Sequence, residues 1–212
     1  MKPGRKSDAV GLFLGLVVFA ASALVASGGV APGEAAVFRV INGLPDFLYF
    51  AIWPFMQFGV FVTIPILIVV ALVMRRTRLA AAMAIGGIGV YLLAKVAKGR
   101  VERGRPAAVL ADVTEGRETF ASGSLGYPSG HAAVAAALAV ILTPQLEARW
   151  RWLPLVLIAI VFVGRLYVGA HLPLDLIGGA ALGVAAGCAA NLIVGHPVSP
   201  VEVPGGTGKA AT

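Results

Sequence analysis

The chain has 212 residues, 58% of them hydrophobic and 13% charged, with a net charge of +7. Its mean hydropathy of +0.89 excludes an ordinary soluble domain, where apolar usage sits near 45–50%. The single cysteine, Cys188, excludes an intrachain disulfide and a thiolate metal cluster. The positive charge does not indicate nucleic acid, because the bases sit in short loops between apolar runs and no basic stripe carries interleaved aromatics.

Six apolar segments follow one another, and runs of roughly 18 or more apolar residues read as membrane-spanning helices. The first covers about Val10–Val30. It follows a basic start but ends without a strong cleavage site, so it is expected to be a retained span. The connection from Ala31 to Asp46 is weakly charged and has room for an interfacial helix around Ala35–Leu44. The second segment, about Phe47–Val73, contains Pro54 and Pro65, so kinks are expected. The basic turn Arg75–Arg78 leads into the third, about Leu79–Ala94. A long polar stretch from Lys95 to Tyr127 precedes the fourth, which starts after Ser129 and ends near Leu146. A second short basic turn holds Arg149 and Arg151. The fifth and sixth segments cover about Trp152–Tyr167 and Leu176–Val194. Gly179, Gly183 and Gly187 recur at a spacing that favours close helix packing. Trp53, Trp150 and Trp152 suit an interfacial belt. The expected fold is an all-α integral membrane bundle of six transmembrane helices over residues 1–195, with a disordered tail over 196–212.

Topology follows from the Lys/Arg bias. In a six-span layout the termini and both short turns share one side, with nine bases against eight on the other. The short turns carry almost only positive charge. The long loop is diluted by Glu102, Asp112, Glu115 and Glu118, and several of its bases have a candidate chemical role. The termini are therefore expected in the cytoplasm.

Three stretches break the apolar pattern, all on the side opposite the short turns: Lys98 to Pro106, Pro128 to His131, and Gly164 to Asp175. Together they suit a phosphate. Lys98, Arg105 and Arg165 bring positive charge and many donors. Ser129 and Gly130 stand at a helix start, where free N–H groups and the dipole attract anions. His171 and Asp175 are four apart and share a face if helical. The carboxylate can bind one ring nitrogen and leave the other free to attack; capping of the sixth helix by Asp175 is the lesser alternative and can coexist with that role. His131 can hand a proton to a leaving oxygen. Arg100, Arg103 and Arg117 read as topology anchors, and His196 as a surface group. A metal site is disfavoured, since no further carboxylate or histidine joins the set and three cations stand nearby.

The stretches match the patterns K-x6-RP (Lys98, Arg105, Pro106), PSGH (residues 128–131) and R-x5-H-x3-D (Arg165, His171, Asp175). In that order they resemble the type 2 phosphatidic acid phosphatase superfamily of membrane lipid phosphatases and polyprenyl diphosphate phosphatases. The resemblance implies a metal-independent, cofactor-free hydrolase acting through a phosphohistidine. On it, His171 is the nucleophile, Asp175 its orienting partner, and His131 the acid and later the base. Lys98, Arg105, Ser129, Gly130 and Arg165 then hold the phosphoryl oxygens. Gly164 departs from the family, which often has Ser there. The expected substrate is a lipid phosphate: undecaprenyl diphosphate first, then phosphatidate or phosphatidylglycerophosphate. The site is expected to face the periplasm or cell exterior. A small anion transporter or channel is the alternative, although its polar residues would belong nearer the midplane. A haloperoxidase-like relative is a third reading, disfavoured by the membrane-embedded chain.

Overall fold

The computed structural model describes residues 3–111, 113, 117–120 and 123–195. The tail from 196 onward, His196 included, and Asp112 and Glu115 lie outside the described residues. Every regular element described is helical, apart from a single antiparallel bridge between Gly104 and Leu125.

Helix α1 (Pro3–Ser27) is 25 residues long, enough at about 1.5 Å per residue to cross a bilayer core of about 30 Å. Helix α2 (Pro32–Asn42) starts on Pro32, whose fixed φ suits a first turn. It fills the connection where an interfacial helix was expected. After Pro45 come α3 (Tyr49–Met56) and α4 (Thr63–Val73). Helix α5 (Thr77–Met83) passes through a π-helical stretch at Ala84–Ile88 into α6 (Gly89–Val101), and the three together are one apolar helix of 25 residues. The short α7 (Pro106–Val109) opens the long loop. Helices α8 (Gly130–Leu142), α9 (Leu153–Tyr167) and α10 (Pro173–Val194) complete the bundle.

The six apolar segments are present, but among the described residues only four helices are long and apolar enough to cross a membrane: Gly4–Ser27, Thr77–Val101, Ala148–Tyr167 and Pro173–Val194. The second segment differs most from expectation. It is not one helix, because α3 and α4 are separated by an elbow at Gln57–Val62. Pro54 lies inside α3 and offers no N–H. Gly59 then meets the start of α8, where a Cβ on it would stand 2.6 Å from the His131 carbonyl oxygen. The pair formed by α2 and residues 46–59 bends by 80°.

Helix α10 is the hub. Gly179, Gly183 and Gly187 lie directly on α8: a Cβ on Gly187 would meet the Ala137 carbonyl at 2.9 Å, and one on Gly183 the Ala136 Cβ at 2.8 Å. On its other side, Gly15 of α1 fits against Ala181 and Ala185. These bare backbones bring helices together without a hydrophobic driving force, as lipid-embedded packing requires. Large apolar side chains such as Phe13, Leu24, Leu155 and Ile193 point outward, a surface suited to lipid and costly in water. Helices α1 and α10 run antiparallel. Asn191 bonds Asp8 at one end, while at the other Tyr127 reaches Ser22 at 2.8 Å and packs on Gly178. The N-terminus therefore lies at the end of the bundle opposite the beginning of α10.

Candidate active site

His171 lies in the short link between α9 and α10 and is buried. Its Nδ1 faces the Asp175 carboxylate, with Oδ2 3.6 Å away. At that length it is an approach rather than the hydrogen bond expected between them; Oδ2 accepts the Leu172 N–H at 2.8 Å. Asp175 thus caps α10 and faces the histidine at once, and both readings of its role are compatible with the geometry. Burial, together with the charges of Arg165, Lys98 and Arg105, pushes His171 well below the ordinary histidine range, so its ring is neutral. Asp175 lies on the Nδ1 side of the ring, which also holds a hydrogen bond with the Gly126 backbone.

The N-terminus of α8 forms the floor. The Ser129 side chain accepts from the Ala132 N–H at 3.4 Å, and its backbone N–H donates to the Asp175 carbonyl at 2.9 Å. The Ser129 cap therefore fixes the beginning of α8 against the beginning of α10. A Cβ on Gly130 would meet nothing within 4 Å, so there is room for a ligand at this helix start. His131 occupies the first turn, within electrostatic reach of Arg165, His171, Arg105 and Lys98.

The three expected phosphate ligands arrive from different elements. Lys98, at the end of α6, donates to the Leu125 and Gly126 carbonyls at 2.8 and 3.2 Å. Arg105 donates from Nε to Ser124 at 2.7 Å and from Nη1 to the Ala170 carbonyl at 2.9 Å. Arg165, near the end of α9, donates to Glu118 at 2.7 Å. The Phe120 ring lies over both guanidinium groups, with centroids 4.1 Å from Arg105 and 5.8 Å from Arg165. Glu118 and Phe120 thus cover the basic cluster, a feature the sequence did not single out because loop residues carry no periodic signal. Gly164 now has a physical reason: a Cβ there would stand 2.9 Å from the Cβ of Met56, so α3 leaves no space for a serine.

Two residues read as topology anchors do other things. Arg103 is buried and donates to both Glu34 and Asp175, at 2.9 and 3.1 Å from Nη1. Glu34 had no assigned role, and its only signal was being an isolated acid in a weakly charged connection. Arg117 ties its loop to the α2–α3 elbow, donating to the Asn42, Leu44 and Tyr167 carbonyls at 2.6, 2.6 and 2.8 Å. It also lies over the Tyr167 ring. Snorkelling arginines would reach for head groups; these two turn inward and satisfy protein carbonyls and carboxylates. Arg100 is exposed and retains the anchor reading.

A family model described as the PAP2 superfamily matches residues 75–197. The crystal structure of Aquifex aeolicus LpxE is similar at 22% identity, with a TM-score of 0.67 over 74% of this chain and 93% of that one. So is that of the first transmembrane PAP2 type phosphatidylglycerolphosphate phosphatase from Bacillus subtilis, at 22% identity and a TM-score of 0.68 over 84% and 94%. No curated protein matches the chain.

Proposed function

The chain belongs to the PAP2 superfamily, and from that membership we propose that it hydrolyses the phosphate of a membrane lipid through His171, with no metal. The observation that carries this reading is the convergence of the three motif stretches at one end of the bundle. His171 there lies within the fields of Lys98, Arg105 and Arg165.

In the first step Nε2 of His171 attacks phosphorus as the bond to the lipid oxygen breaks. The departing oxygen takes a proton from His131, so the lipid leaves without developing a full extra negative charge, while the phosphoryl group stays on His171. In the second step water attacks the phosphohistidine, His131 accepts the water proton, and inorganic phosphate is released. Lys98, Arg105, Arg165, the Ser129 hydroxyl and the Gly130 N–H offset the charge on the equatorial oxygens. Asp175 faces the developing imidazolium. Substrate competes with Glu118 for Arg165, whose Nη1 the carboxylate occupies. Among the described residues no group of three or more His, Cys, Asp or Glu is arranged to hold a metal ion, and the cations fill the role a metal would otherwise have.

Undecaprenyl diphosphate remains the first candidate, with phosphatidate and phosphatidylglycerophosphate next. The Bacillus subtilis structure, by its name a phosphatidylglycerolphosphate phosphatase, keeps a glycerol-based substrate in contention. The test is phosphate release in detergent from a panel of these lipids, with EDTA present and vanadate as inhibitor. Vanadate mimics the trigonal-bipyramidal transition state and uses the same donors. Activity abolished by EDTA and restored by a divalent ion would overturn the metal-free scheme. Release from none of the lipids would overturn the substrate class and leave the anion transporter as the reading to pursue.

A further inference from the structure

The geometry points to Glu34 and Arg103 as positioning residues. They form a buried carboxylate–guanidinium pair that holds Asp175 in register with His171 and sets the charge the histidine sees. This rests on the reading of His171 as the nucleophile.

The Arg103 guanidinium has two faces of use. Nη1 bridges Glu34 Oε1 and Asp175 Oδ1, while Nη2 donates to Glu34 Oε2 at 2.5 Å and to the Gly29 carbonyl at 2.9 Å. Taking Oδ1 of Asp175 leaves Oδ2 turned towards Leu172 and His171. Glu34 is itself fixed on the first turn of α10, where Oε1 accepts the Leu174 N–H at 2.9 Å. The side chains of Glu34, Arg103 and Asp175 are 5%, 3% and 0% exposed, so water screens none of them.

The charge count gives the arrangement its purpose. Arg103 alone would neutralise Asp175. Glu34 restores a net charge of minus one to the group, from its place against the first turn of α10. When the bond to phosphorus forms, the imidazole becomes positive amid Lys98, Arg105 and Arg165. A fixed negative group behind Nδ1 lowers the energy of that state more than the neutral ground state, which is the condition for raising kcat rather than binding. The competing reading is that the pair only ties α2 to α10.

A mutant cycle separates the two. The full chain in detergent is compared as wild type, Glu34→Gln, Asp175→Asn and the double variant, by thermal unfolding, by kcat and KM on a lipid phosphate, and by vanadate binding in vanadium NMR. Glu34→Gln should lower kcat by about ten- to a hundredfold, the usual range for groups that orient a reacting residue. KM should stay within about twofold. Beside Asp175→Asn the same change should cost less than about twofold, because its effect passes through the carboxylate already removed. Should Glu34→Gln lose its cooperative melt, Glu34→Asp enters the same cycle, with a smaller loss that again vanishes beside Asp175→Asn. Wild-type kcat in Glu34→Gln, or equal losses in both backgrounds, overturns the proposal. If the wild type binds vanadate but releases phosphate from no lipid, the substrate reading fails alone. Vanadate affinity across the cycle then replaces kcat: a loss confined to the Asp175 background supports the proposal, and no loss or equal losses overturn it. Wild-type protein that neither turns over nor binds vanadate overturns both.

Discussion

Gly59→Ala should damage catalysis although residue 59 belongs to none of the motif stretches. The new methyl would stand 2.6 Å from the His131 carbonyl oxygen, 2.8 Å from its Cβ and 2.9 Å from its carbonyl carbon. Ordinary contact begins at 3.4 Å, so the elbow or the first turn of α8 must give by 3.4 − 2.6, about 0.8 Å. The elbow is itself held, because Thr63 Oγ1 donates to the Gln57 carbonyl at 3.1 Å across the break. Much of the displacement should therefore fall on His131. A misplacement near 1 Å of a group that transfers a proton costs on the order of a hundredfold in rate, and the overpacking itself about 1–3 kcal/mol of stability. The assay is kcat on a lipid phosphate beside a thermal melt, with Gly89→Ala as control. A Cβ at Gly89 meets nothing within 4 Å, so that variant should retain wild-type kcat. A Gly59→Ala protein with full activity would show that the elbow swings outward into lipid and does not clamp the histidine.

His171→Ala should abolish turnover and leave the melt cooperative, and acid-labile phosphate should be trapped on the wild type but not on this variant. Because His171 is held below the ordinary value near 6.5, the unfolded chain binds a proton that the native state refuses once the pH falls through about 6.5. The wild type should then lose melting temperature relative to His171→Asn between pH 7.5 and 5, and a pH-independent gap between the two would contradict a buried neutral ring. Orientation can be read by placing single cysteines at Thr119 and Thr77 in a Cys188→Ala background, both positions being exposed. An impermeant thiol reagent on intact cells should label position 119 and spare 77, whereas the reverse would put the site in the cytoplasm.

Composition and local spacing were enough to set the class of the molecule and to mark out its candidate reactive residues. Long uncharged runs are poorly solvated in water, and at about 20 residues each they suit bilayer-spanning helices rather than the shorter strands of a barrel. Lys98, Arg105, Ser129, His131, Arg165, His171 and Asp175 were legible because chemistry dictates residue type and local spacing together. The glycine stripe of α10 was legible for a related reason, since a fixed period on one helix implies one face. Other features depend on residues distant in sequence and emerged only on folding. Gly59 and Gly164 are bare because His131 and Met56 stand opposite them, and no local pattern encodes a neighbour brought in from another helix. The second apolar segment broke into α3 and α4 against the start of α8, where hydropathy sees only a continuous run. Arg103 and Arg117 looked like anchors because position along a chain reveals proximity to a membrane surface but not the direction of a side chain. Arg103 turned inward because Glu34, 69 residues earlier, supplies the carboxylate that makes its burial affordable. A buried charge takes its meaning from its partners, and partners are fixed only when the chain is folded.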